Sequence, residues 1–471
     1  MEILHISAEC YPVAKAGGLG DVAGALPKYQ QKAGHNAMLV MPMYRTKFLY
    51  EHEWDVKFKG RTNMGDYWFD YTIIKEKHDT LGFTLYLMDI YALLDREKIY
   101  GYDDDPQRFM AFQIAVAHWL NYSGMKPDVV HCHDHQAGLI PFMFKYCYGF
   151  QSLKNIPTVF TIHNAEYQGA LNWNRSTWIP AYDTWKAGLL DWNRNINPLA
   201  SAVKNAWKVT TVSPNYMGEL AHSSNGLEKL FDLEKGKCSG ILNGIDTEVW
   251  NPATDRFITE NYSIDNLAAG KQANKEALCK EYGLDPEMPL FTFIGRLVRE
   301  KAADILPDAI LSSIYSLKGA CSFFILGSGE TNIEQQLYRL HGSFSGIYTA
   351  VIGYNEALSH RLYASADFLL MPSRIEPCGL NQMYAMRYGT IPMVRRTGGL
   401  IDTVKDVGEG EGWGLCFDNA SVGDILHAAG RAAGLYNNKD HLSIIQTRAM
   451  NINNSWENTV EHYLALYRSV K

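Results

Sequence analysis

Short unbroken apolar runs alternate along this chain with longer segments in which apolar residues recur every three or four positions. The first pattern is typical of strands buried on both faces of a parallel sheet, and the second of amphipathic helices. In the first half, the patterns predict strands at 2–9, 36–41, 128–132, 158–162 and 208–212, a helix at 106–121, and a hairpin formed by 67–75 and 83–89. The first half is therefore predicted to be a doubly wound α/β domain.

The same alternation starts again near residue 290. It predicts strands at 290–294, 321–326, 349–352, 368–371, 391–394 and 415–417, and helices at 305–317, 332–340, 358–365, 379–387 and 422–435. The polar segment 247–274 separates the two series and is interpreted as a linker, and 456–469 has one apolar helical face. The predicted fold class is α/β, with doubly wound domains at 1–246 and 247–455 and a C-terminal helix at 456–471.

Composition narrows the class of protein. The chain has 471 residues, of which 46% are hydrophobic and 20% charged, as in an ordinary globular protein. A net charge of −7 argues against nucleic acid as a partner. No apolar run approaches the roughly 20 residues of a membrane-spanning helix, and the early first strand leaves no room for a signal peptide. Eight scattered cysteines without a Cys-x-x-Cys pair favour a reducing, cytoplasmic compartment.

The first strand leads into a glycine-rich loop and then a helix. The loop carries Lys15, Gly17 and Gly18 and is followed by Asp21. Amides at a helix start bind anions, glycines let a ligand approach the backbone, and lysine adds positive charge. A site for a phosphorylated sugar donor and an ordinary βα turn both fit these residues. A dinucleotide-dependent oxidoreductase fits less well, because the second strand ends in 41–44 without an acidic residue to bind a ribose.

Three loops of the second half place charged residues or glycines after predicted strands. Arg296 and Lys301 would suit a diphosphate leaving group, or form a solvated pair at a helix start. Glu376 precedes a predicted helix, where it would accept sugar hydroxyls or balance a cationic sugar. Its alternative roles are to cap that helix or to pair with Arg374. Thr397 begins a Thr-Gly-Gly turn before another helix, and a plain tight turn is the alternative.

Histidines close two strands of the first half. The run 131–135, His-Cys-His-Asp-His, suggests a metal site. However, successive side chains of a strand point to opposite faces, so these residues do not all converge. Asp134 is therefore expected to bind a sugar hydroxyl, with no metal ligand in this run. His163 and Asn164 close the next strand and are expected at the same edge of the sheet.

Six motifs together resemble those of bacterial glycogen synthases and plant starch synthases. They are Lys15-Ala-Gly-Gly-Leu-Gly-Asp21, His133-Asp134, Phe160-Thr-Ile-His-Asn164, Leu242-Asn-Gly-Ile-Asp246, Ser373-Arg-Ile-Glu-Pro-Cys-Gly-Leu380 and Arg395-Arg-Thr-Gly-Gly-Leu400. The resemblance extends from Met1 to the C-terminal helix. It implies the GT-B fold, in which two Rossmann-like domains face across a deep cleft and the last helix crosses back to the first domain.

The resemblance also implies an activity and its residues. The activity is retaining transfer of glucose from ADP-glucose to the non-reducing 4-OH of an α-1,4-glucan such as glycogen, without a cofactor or metal. The implied catalytic residues are Asp134, His163, Arg296, Lys301 and Glu376. The implied substrate-binding residues are Lys15, Gly17, Gly18, Asp21, Asn164, Asn243, Tyr354, Cys378, Gly379, Leu380, Asn381 and Thr397. Among them, Tyr354 would stack on the adenine. The sequence shows no clear second carboxylate near Glu376, which is consistent with same-face attack.

Some positions depart from the family pattern. Ala302 replaces a glycine, so its Cβ would displace Lys301 if the backbone there has positive φ. Asn381 replaces a threonine next to the expected phosphates, whereas Tyr384 stands where sucrose- and glycolipid-forming relatives place a second glutamate. The alternatives are a UDP-glucose donor or a small acceptor, and a catalytically weak homologue that binds glucan or nucleotide.

Overall fold

The computed structural model describes residues 1–471 and separates into two compact units. The first unit comprises Met1–Ile241 and Trp456–Lys471, and the second comprises Leu242–Ser455. The division therefore lies slightly before the predicted boundary at 246. One reason is that Ile245 forms a parallel bridge with Ser455, which belongs to the second unit.

A nine-stranded sheet forms the centre of the first unit. The strands of this unit are β1 (Glu2–Ile6), β2 (Asn36–Pro42), β3 (Trp54–Met64), β4 (Tyr67–Glu76), β5 (Thr84–Asp89), β6 (Val129–His133), β7 (Thr158–Ile162), β8 (Asp191–Trp192), β9 (Asn195–Ile196), β10 (Lys208–Thr211) and β11 (Cys238–Gly240). The sheet order is β11-β10-β7-β6-β1-β2-β5-β4-β3, while β8 and β9 form a separate ribbon. Only the β5-β4 and β4-β3 pairs of the large sheet are antiparallel.

Helices cover this sheet. They are α1 (Gly18–Lys32), α2 (Lys47–Glu51), α3 (Asp105–Ser123), α4 (Ile140–Tyr146), α5 (Pro198–Asn205), α6 (Pro214–Leu220) and α7 (Glu228–Glu234). In α1, the spacing of Val22, Leu26 and Tyr29 puts them on one face, where they pack in a cluster with Ile3 of β1. The predicted opening unit of strand, glycine loop and helix is thus confirmed, although its strand ends at Ile6.

The second unit is built on a six-stranded, entirely parallel sheet. Its strands are β12 (Leu290–Ile294), β13 (Ser322–Gly327), β14 (Tyr348–Ile352), β15 (Phe368–Met371), β16 (Ile391–Arg395) and β17 (Leu415–Phe417), in the order β14-β13-β12-β15-β16-β17. Its helices are α8 (Leu267–Tyr282), α9 (Leu306–Ser316), α10 (Thr331–Ser343), α11 (Glu356–Ser365), α12 (Asn381–Arg387), α13 (Gly398–Thr403), α14 (Val422–Asn437) and α15 (Lys439–Asn451). Phe291 and Phe293 join one core cluster and Leu290 another, as expected for a sheet covered on both faces.

Each sheet has a point at which the strand order reverses. β1 lies between β2 and β6, and β12 lies between β13 and β15. At such a switch point the connections leave towards opposite faces, so a crevice opens at the carboxyl ends of the strands. The loops after β1 and β6 carry the glycine loop and Asp134, and those after β12 and β15 carry Lys301 and Glu376. Four predicted motifs therefore lie at switch points.

Two predictions from the sequence need correction. The segment 247–274 is not a linker, because it lies inside the second unit and its last residues begin α8. Within it, Lys271 is buried and donates to the hydroxyl of Thr390 at 2.8 Å. The predicted hairpin exists as the antiparallel pair β4-β5, but the eleven-residue β3 extends it. The sequence analysis missed β3 because much of it is solvent-exposed and polar.

The chain ends in α16 (Trp456–Arg468), which packs against α1 within the first unit. Its buried face consists of Val460, Tyr463, Leu464 and Tyr467, which follow the three- and four-residue spacing of an amphipathic helix. None of the helices combines the length and hydrophobicity that a bilayer-spanning segment requires. The role of α16 in the structure is therefore to complete the core of the first unit.

Replacing Leu464 with alanine tests this role. Leu464 is buried in the cluster formed by α1, α16 and β1, so the substitution should lower the free energy of unfolding by about 3 kcal/mol through lost burial and a residual cavity. Urea unfolding followed by circular dichroism measures the change. His462→Ala, on the exposed side of the same helix, should change it by less than about 0.5 kcal/mol. Equal effects of the two substitutions would contradict the packing role.

Candidate active site

The glycine loop already binds an internal carboxylate. Glu9, just beyond β1, is buried, and its Oε2 accepts hydrogen bonds from the backbone N–H groups of Ala16 at 2.6 Å and Gly17 at 2.9 Å. The hydroxyl of Tyr100 donates to the other oxygen, Oε1, at 2.8 Å. Two of the amides predicted to bind an anion are therefore occupied by the protein itself. Sequence analysis missed Glu9, although an acidic residue between an apolar strand and a glycine loop is a usable signal.

The rest of this loop has charge and open space. Lys15 Nζ lies 2.7 Å from Asp21 Oδ1 in a partly exposed ion pair. A Cβ built on Gly17 or Gly18 would meet no atom within 4 Å, so internal packing does not require glycine at either position. The space beside this backbone is consistent with the predicted approach of a ligand.

Asp134 holds the loop that follows β7. It has a φ of +54°, and its Oδ1 accepts the backbone N–H of His163 at 2.7 Å. Asn164 uses its side-chain oxygen locally, because Oδ1 accepts the backbone N–H of Glu166 at 2.9 Å. The structure thus brings Asp134, His163 and Asn164 together at neighbouring strand ends, as the sequence predicted.

The pKa of the Asp134 carboxyl group is raised. Surrounding protein atoms remove hydration and raise its pKa to about 7, although hydrogen bonds from the backbone of His163 and Asn164 act in the opposite direction. Asp134 keeps some solvent-accessible surface. The same loss of hydration lowers the pKa of His163 to about 3, so its imidazole is neutral at pH 7.

Three histidines converge in the core below this edge. Ring nitrogens of His5, His131 and His133 lie within 4.8 Å of one another. His131 and His133 share one face of β6, and His5 is the β1 partner of His131. Each ring nitrogen of the three already has a hydrogen-bond partner, which favours an internal network over a metal site.

An ion pair joins the two strand-end loops at the switch point of the second unit. Lys301 Nζ lies 2.8 Å from both carboxylate oxygens of Glu376, and Ser373 Oγ donates to Glu376 Oε2 at 2.9 Å. Both charged side chains are mostly buried, so removing either leaves an uncompensated charge. The structure thus brings two of the predicted catalytic residues into direct contact.

The alternative roles proposed for Glu376 do not fit the structure. Arg374 pairs with Asp304, its Nη1 lying 2.6 Å from Oδ1. The N-cap of α12 is Leu380, which lies beyond Glu376 in the chain. Glu376 is therefore neither the partner of Arg374 nor the cap of the following helix.

Glu300 connects the two predicted cations. Its Oε1 lies 3.2 Å from Arg296 Nη2 and 3.5 Å from Lys301 Nζ. The sequence analysis identified no second carboxylate near Glu376, and Glu300 corrects that expectation because it contacts the same lysine. The side chain of Arg296 is 53% exposed and lies at the surface of the second unit.

Ala302 adopts a strained backbone conformation. Its φ of 55° and ψ of 30° lie in the left-handed region, which costs a residue with a Cβ roughly 1–2 kcal/mol. Its side chain is fully buried, and Lys301 nonetheless reaches Glu376. The positive φ that would make Ala302 displace Lys301 is therefore present, and Lys301 contacts Glu376 with alanine at this position.

The Thr397-Gly398-Gly399 turn supports Glu376 by close backbone approach. Gly398 has a φ of +45°, and a Cβ there would lie 2.0 Å from the carbonyl oxygen of Glu376. A Cβ on Gly399 would lie 2.3 Å from the carbonyl oxygen of Cys378. The N–H of Gly399 donates to the Glu376 carbonyl at 3.0 Å. A side chain at Gly398 would displace the backbone of Glu376, and one at Gly399 would displace that of Cys378.

Other predicted substrate-binding residues differ in their surroundings. Asn243 is buried, and its Oδ1 has no hydrogen-bond partner within the protein. The ring of Tyr354 is 78% exposed. Asn381 donates from Nδ2 to the Ile294 carbonyl at 2.6 Å, so this amide already joins α12 to β12. Asn243 therefore has an acceptor atom without a protein partner and Tyr354 has an exposed ring, whereas Asn381 has a structural partner.

The segment before α12 has a tight turn. Gly379 has a φ of +75°, a conformation that favours glycine, and Leu380 follows as the N-cap. Cys378 is buried. Tyr384, at the position of a second glutamate in other families, stacks on Trp250 with ring centroids 3.9 Å apart. It is a packed aromatic residue.

Comparison with known proteins agrees with this architecture. Residues 2–233 match the family model of the starch synthase catalytic domain, and residues 288–433 match that of glycosyl transferases group 1. The sucrose-phosphate synthase of Thermosynechococcus elongatus shares the fold, with a TM-score of 0.65 at 16% identity over 99% of this chain and 98% of that chain. With its two Rossmann-like units, the protein is a glycosyltransferase of the GT-B fold class.

Two relatives are more similar to this chain than the sucrose-phosphate synthase is. The glycogen synthase of Flavobacterium johnsoniae is 50% identical over 470 residues, which cover 100% of this chain and 99% of the relative. The catalytic domain of starch synthase IV from Arabidopsis thaliana, solved with ADP and acarbose bound, has a TM-score of 0.89 at 32% identity over 100% of this chain and 99% of that chain. The chain belongs to the glycogen synthase family.

Asp134→Asn tests the raised pKa of this carboxyl group. Between about pH 4 and about pH 7 the folded protein retains a proton that the unfolded chain has lost, so wild-type stability falls as pH rises through this window. The asparagine variant lacks this decline. Its free energy of unfolding relative to wild type should therefore increase by up to about 4 kcal/mol across the window, measured by urea unfolding at several pH values. A difference that stays constant with pH would contradict the assignment.

Proposed function

We propose that this protein is a glycogen synthase that transfers glucose, with retention, from ADP-glucose to the non-reducing 4-OH of an α-1,4-glucan, without a cofactor. The observation that carries the proposal is the Lys301–Glu376 pair at the switch point of the second unit. This pair belongs to a chain that is 50% identical over its whole length to a glycogen synthase. The ADP bound to the starch synthase IV of Arabidopsis thaliana supports an adenosine diphosphate leaving group.

In this proposal the second unit binds the donor's diphosphate. Lys301 is neutralised by Glu376, whose Oε1 lies 2.8 Å from Nζ. Diphosphate oxygens would compete for its ammonium group and free the Glu376 carboxylate to accept sugar hydroxyls. The exposed fork of Arg296 would bind further oxygens. These cations stabilise the charge that develops on the departing phosphate.

The first unit contributes groups that bind glucose. Asp134 accepts the backbone N–H of His163 at the ends of β6 and β7, the His163 imidazole is neutral, and Lys15 supplies a positive charge. The Asp134 carboxyl group and the neutral His163 imidazole can bind sugar hydroxyls without adding a second positive charge to the site. Their position at carboxyl ends of parallel strands supports a binding role.

Same-face attack, in which the leaving phosphate takes the acceptor's proton, is the proposed route to retention. A two-carboxylate route needs a second carboxyl group about 5 Å from the first. Glu300 is the carboxylate beside Lys301, but its Oε1 and Oε2 are both 3.2 Å from the Arg296 guanidinium. That engagement argues against Glu300 as a nucleophile.

Incubation with ADP-glucose or UDP-glucose, each with glycogen, maltose or no acceptor, tests the proposal. Release of ADP from ADP-glucose only when glycogen is present is the expected result. Faster turnover of UDP-glucose would overturn the proposed donor, and transfer to maltose but not to glycogen would overturn the proposed acceptor. Tight donor binding without release would identify a binding protein.

The cysteines, none of which forms a disulfide, support a cytoplasmic location.

Lys301→Ala should lower kcat by at least tens-fold, because it removes positive charge from the leaving diphosphate. The measurement is the initial rate of ADP release with saturating glycogen. Lys280→Ala, an exposed lysine on α8 of the same unit, is the matched control and should retain wild-type kcat. Turnover of Lys301→Ala near wild type would exclude Lys301 from the reaction.

A further inference from the structure

A chain of buried hydrogen bonds runs from His163 into the core of the first unit. His163 Nε2 lies 3.0 Å from His133 Nδ1, and His133 Nε2 lies 3.0 Å from His5 Nδ1. His5 Nε2 lies 2.8 Å from Gln30 Oε1, and Gln30 Nε2 lies 3.1 Å from the hydroxyl of Tyr467 on α16. We call His163, His133, His5, Gln30 and Tyr467 the imidazole chain.

The ends of the imidazole chain differ. From Tyr467, the contacts continue to His131 Nδ1 at 2.6 Å, and His131 Nε2 lies 2.6 Å from Thr161 Oγ1. At the other end, Nδ1 of His163 is buried and has no protein partner. Of the eight ring nitrogens on the four histidines, this one alone lacks a hydrogen bond. It is therefore the point at which the chain can meet a ligand.

The imidazoles are uncharged at pH 7. Burial lowers the pKa of His5 to about 4, because a buried imidazolium ion loses its hydration. The pKa values of His131 and His133 lie well below the ordinary value for the same reason. Each ring in the chain therefore carries one N–H donor and one acceptor nitrogen.

The orientation of the Gln30 amide determines which nitrogen carries each proton. Gln30 Oε1 can only accept, so His5 donates from Nε2–H and its Nδ1 must accept from His133 Nε2–H. His133 Nδ1 in turn accepts from His163 Nε2–H. This sequence of donors leaves a lone pair on Nδ1 of His163.

The other arm is consistent with the same orientation of the amide. Gln30 Nε2 donates to the Tyr467 oxygen, whose own O–H then donates to His131 Nδ1. His131 Nε2–H donates to Thr161. Turning over the amide would reverse every proton of the network and place an unpaired N–H, instead of a lone pair, on the buried Nδ1 of His163, which is the less tolerable arrangement.

We propose that the imidazole chain holds His163 as the Nε2–H tautomer, so that its Nδ1 accepts a hydrogen bond from a hydroxyl group of the bound sugar. Gln30, His5, His133 and Tyr467 are then positioning residues that act through His163. The proposal rests on the proposed function and specifies how that site recognises a hydroxyl donor. A hydroxyl that donates to Nδ1 keeps its lone pairs for another protein donor, whereas the reversed tautomer would force it to turn.

The tautomer is measured without reference to activity. Long-range ¹H–¹⁵N correlation spectra of protein labelled with ¹⁵N-histidine distinguish the two tautomers, and the His163 signals are those absent from His163→Ala. The expected result at pH 7 is a protonated Nε2 and an unprotonated Nδ1. A protonated Nδ1 would overturn the proposal, and this outcome stands whether or not the protein transfers glucose.

Gln30→Leu tests the positioning role. It removes the acceptor of His5 Nε2–H, so the existing proton order leaves a buried unpaired N–H in the core. Reversing the protons moves that N–H to Nδ1 of His163, where a sugar oxygen can accept it, so His163 should shift to the Nδ1–H tautomer. We expect kcat to fall at least about tenfold, a loss of about 1.4 kcal/mol. Gln113→Leu is the control: Gln113 is a buried glutamine of α3 with both amide ends hydrogen-bonded outside the chain, and it should change kcat less than twofold.

A double-mutant cycle distinguishes a role of Gln30 in positioning His163 from a general structural effect of the Gln30→Leu substitution. In a His163→Ala background, assayed by transfer of radiolabelled glucose, Gln30→Leu should lower kcat less than twofold further. An equal fold loss in both backgrounds would overturn the proposal. If Gln30→Leu does not fold, Tyr467→Phe replaces it, because loss of one hydroxyl frees the amide to turn. Both His163 tautomers should then appear, and a single unchanged tautomer would overturn the proposal.

Discussion

Polar groups at the buried ends of parallel strands must find partners inside the protein, and this constraint governs both units. A strand that stops beneath covering helices leaves amides, imidazoles and charged side chains out of water, where an unpaired group costs about 1–3 kcal/mol. Glu9 satisfies two amides of the glycine loop, and Glu376 neutralises Lys301. The charged groups at these strand ends are thus paired within the protein.

The pairing of these charged groups within the protein affects how a negatively charged substrate would bind. A phosphate approaching the second unit has to compete with Glu376 and Glu300 for the same lysine. The internal carboxylates lower the net gain from binding a diphosphate, but they hold Lys301 in a mostly buried position at the strand ends. Such preorganisation favours stabilisation of the developing charge over tight binding of the ground state.

Much of the fold followed from local pattern, because an unbroken apolar run bounded by polar residues has few ways to be buried. The strands predicted at 158–162, 290–294, 368–371 and 415–417 are confirmed to the residue. β3 and α8 were missed because exposed charges on one and lysines and alanines on the other weaken the apolar period. Within the site, Lys301 and Glu376 were identified by motif. Glu9 was missed although its position before the glycine loop is a usable signal, and Glu300 was missed because no local pattern indicates the partners it acquires.

The imidazole chain shows why such partners escape local analysis. His5 lies beside His131 only because β1 and β6 are neighbours in the sheet. The hydroxyl of Tyr467 reaches His131 from a helix 336 positions further along the chain. In the sequence, Tyr467 is one apolar position of an amphipathic helix, and its packing alone explains its burial. Its hydroxyl becomes informative only when the sheet order is known, because the tautomer at His163 depends on every intervening hydrogen bond.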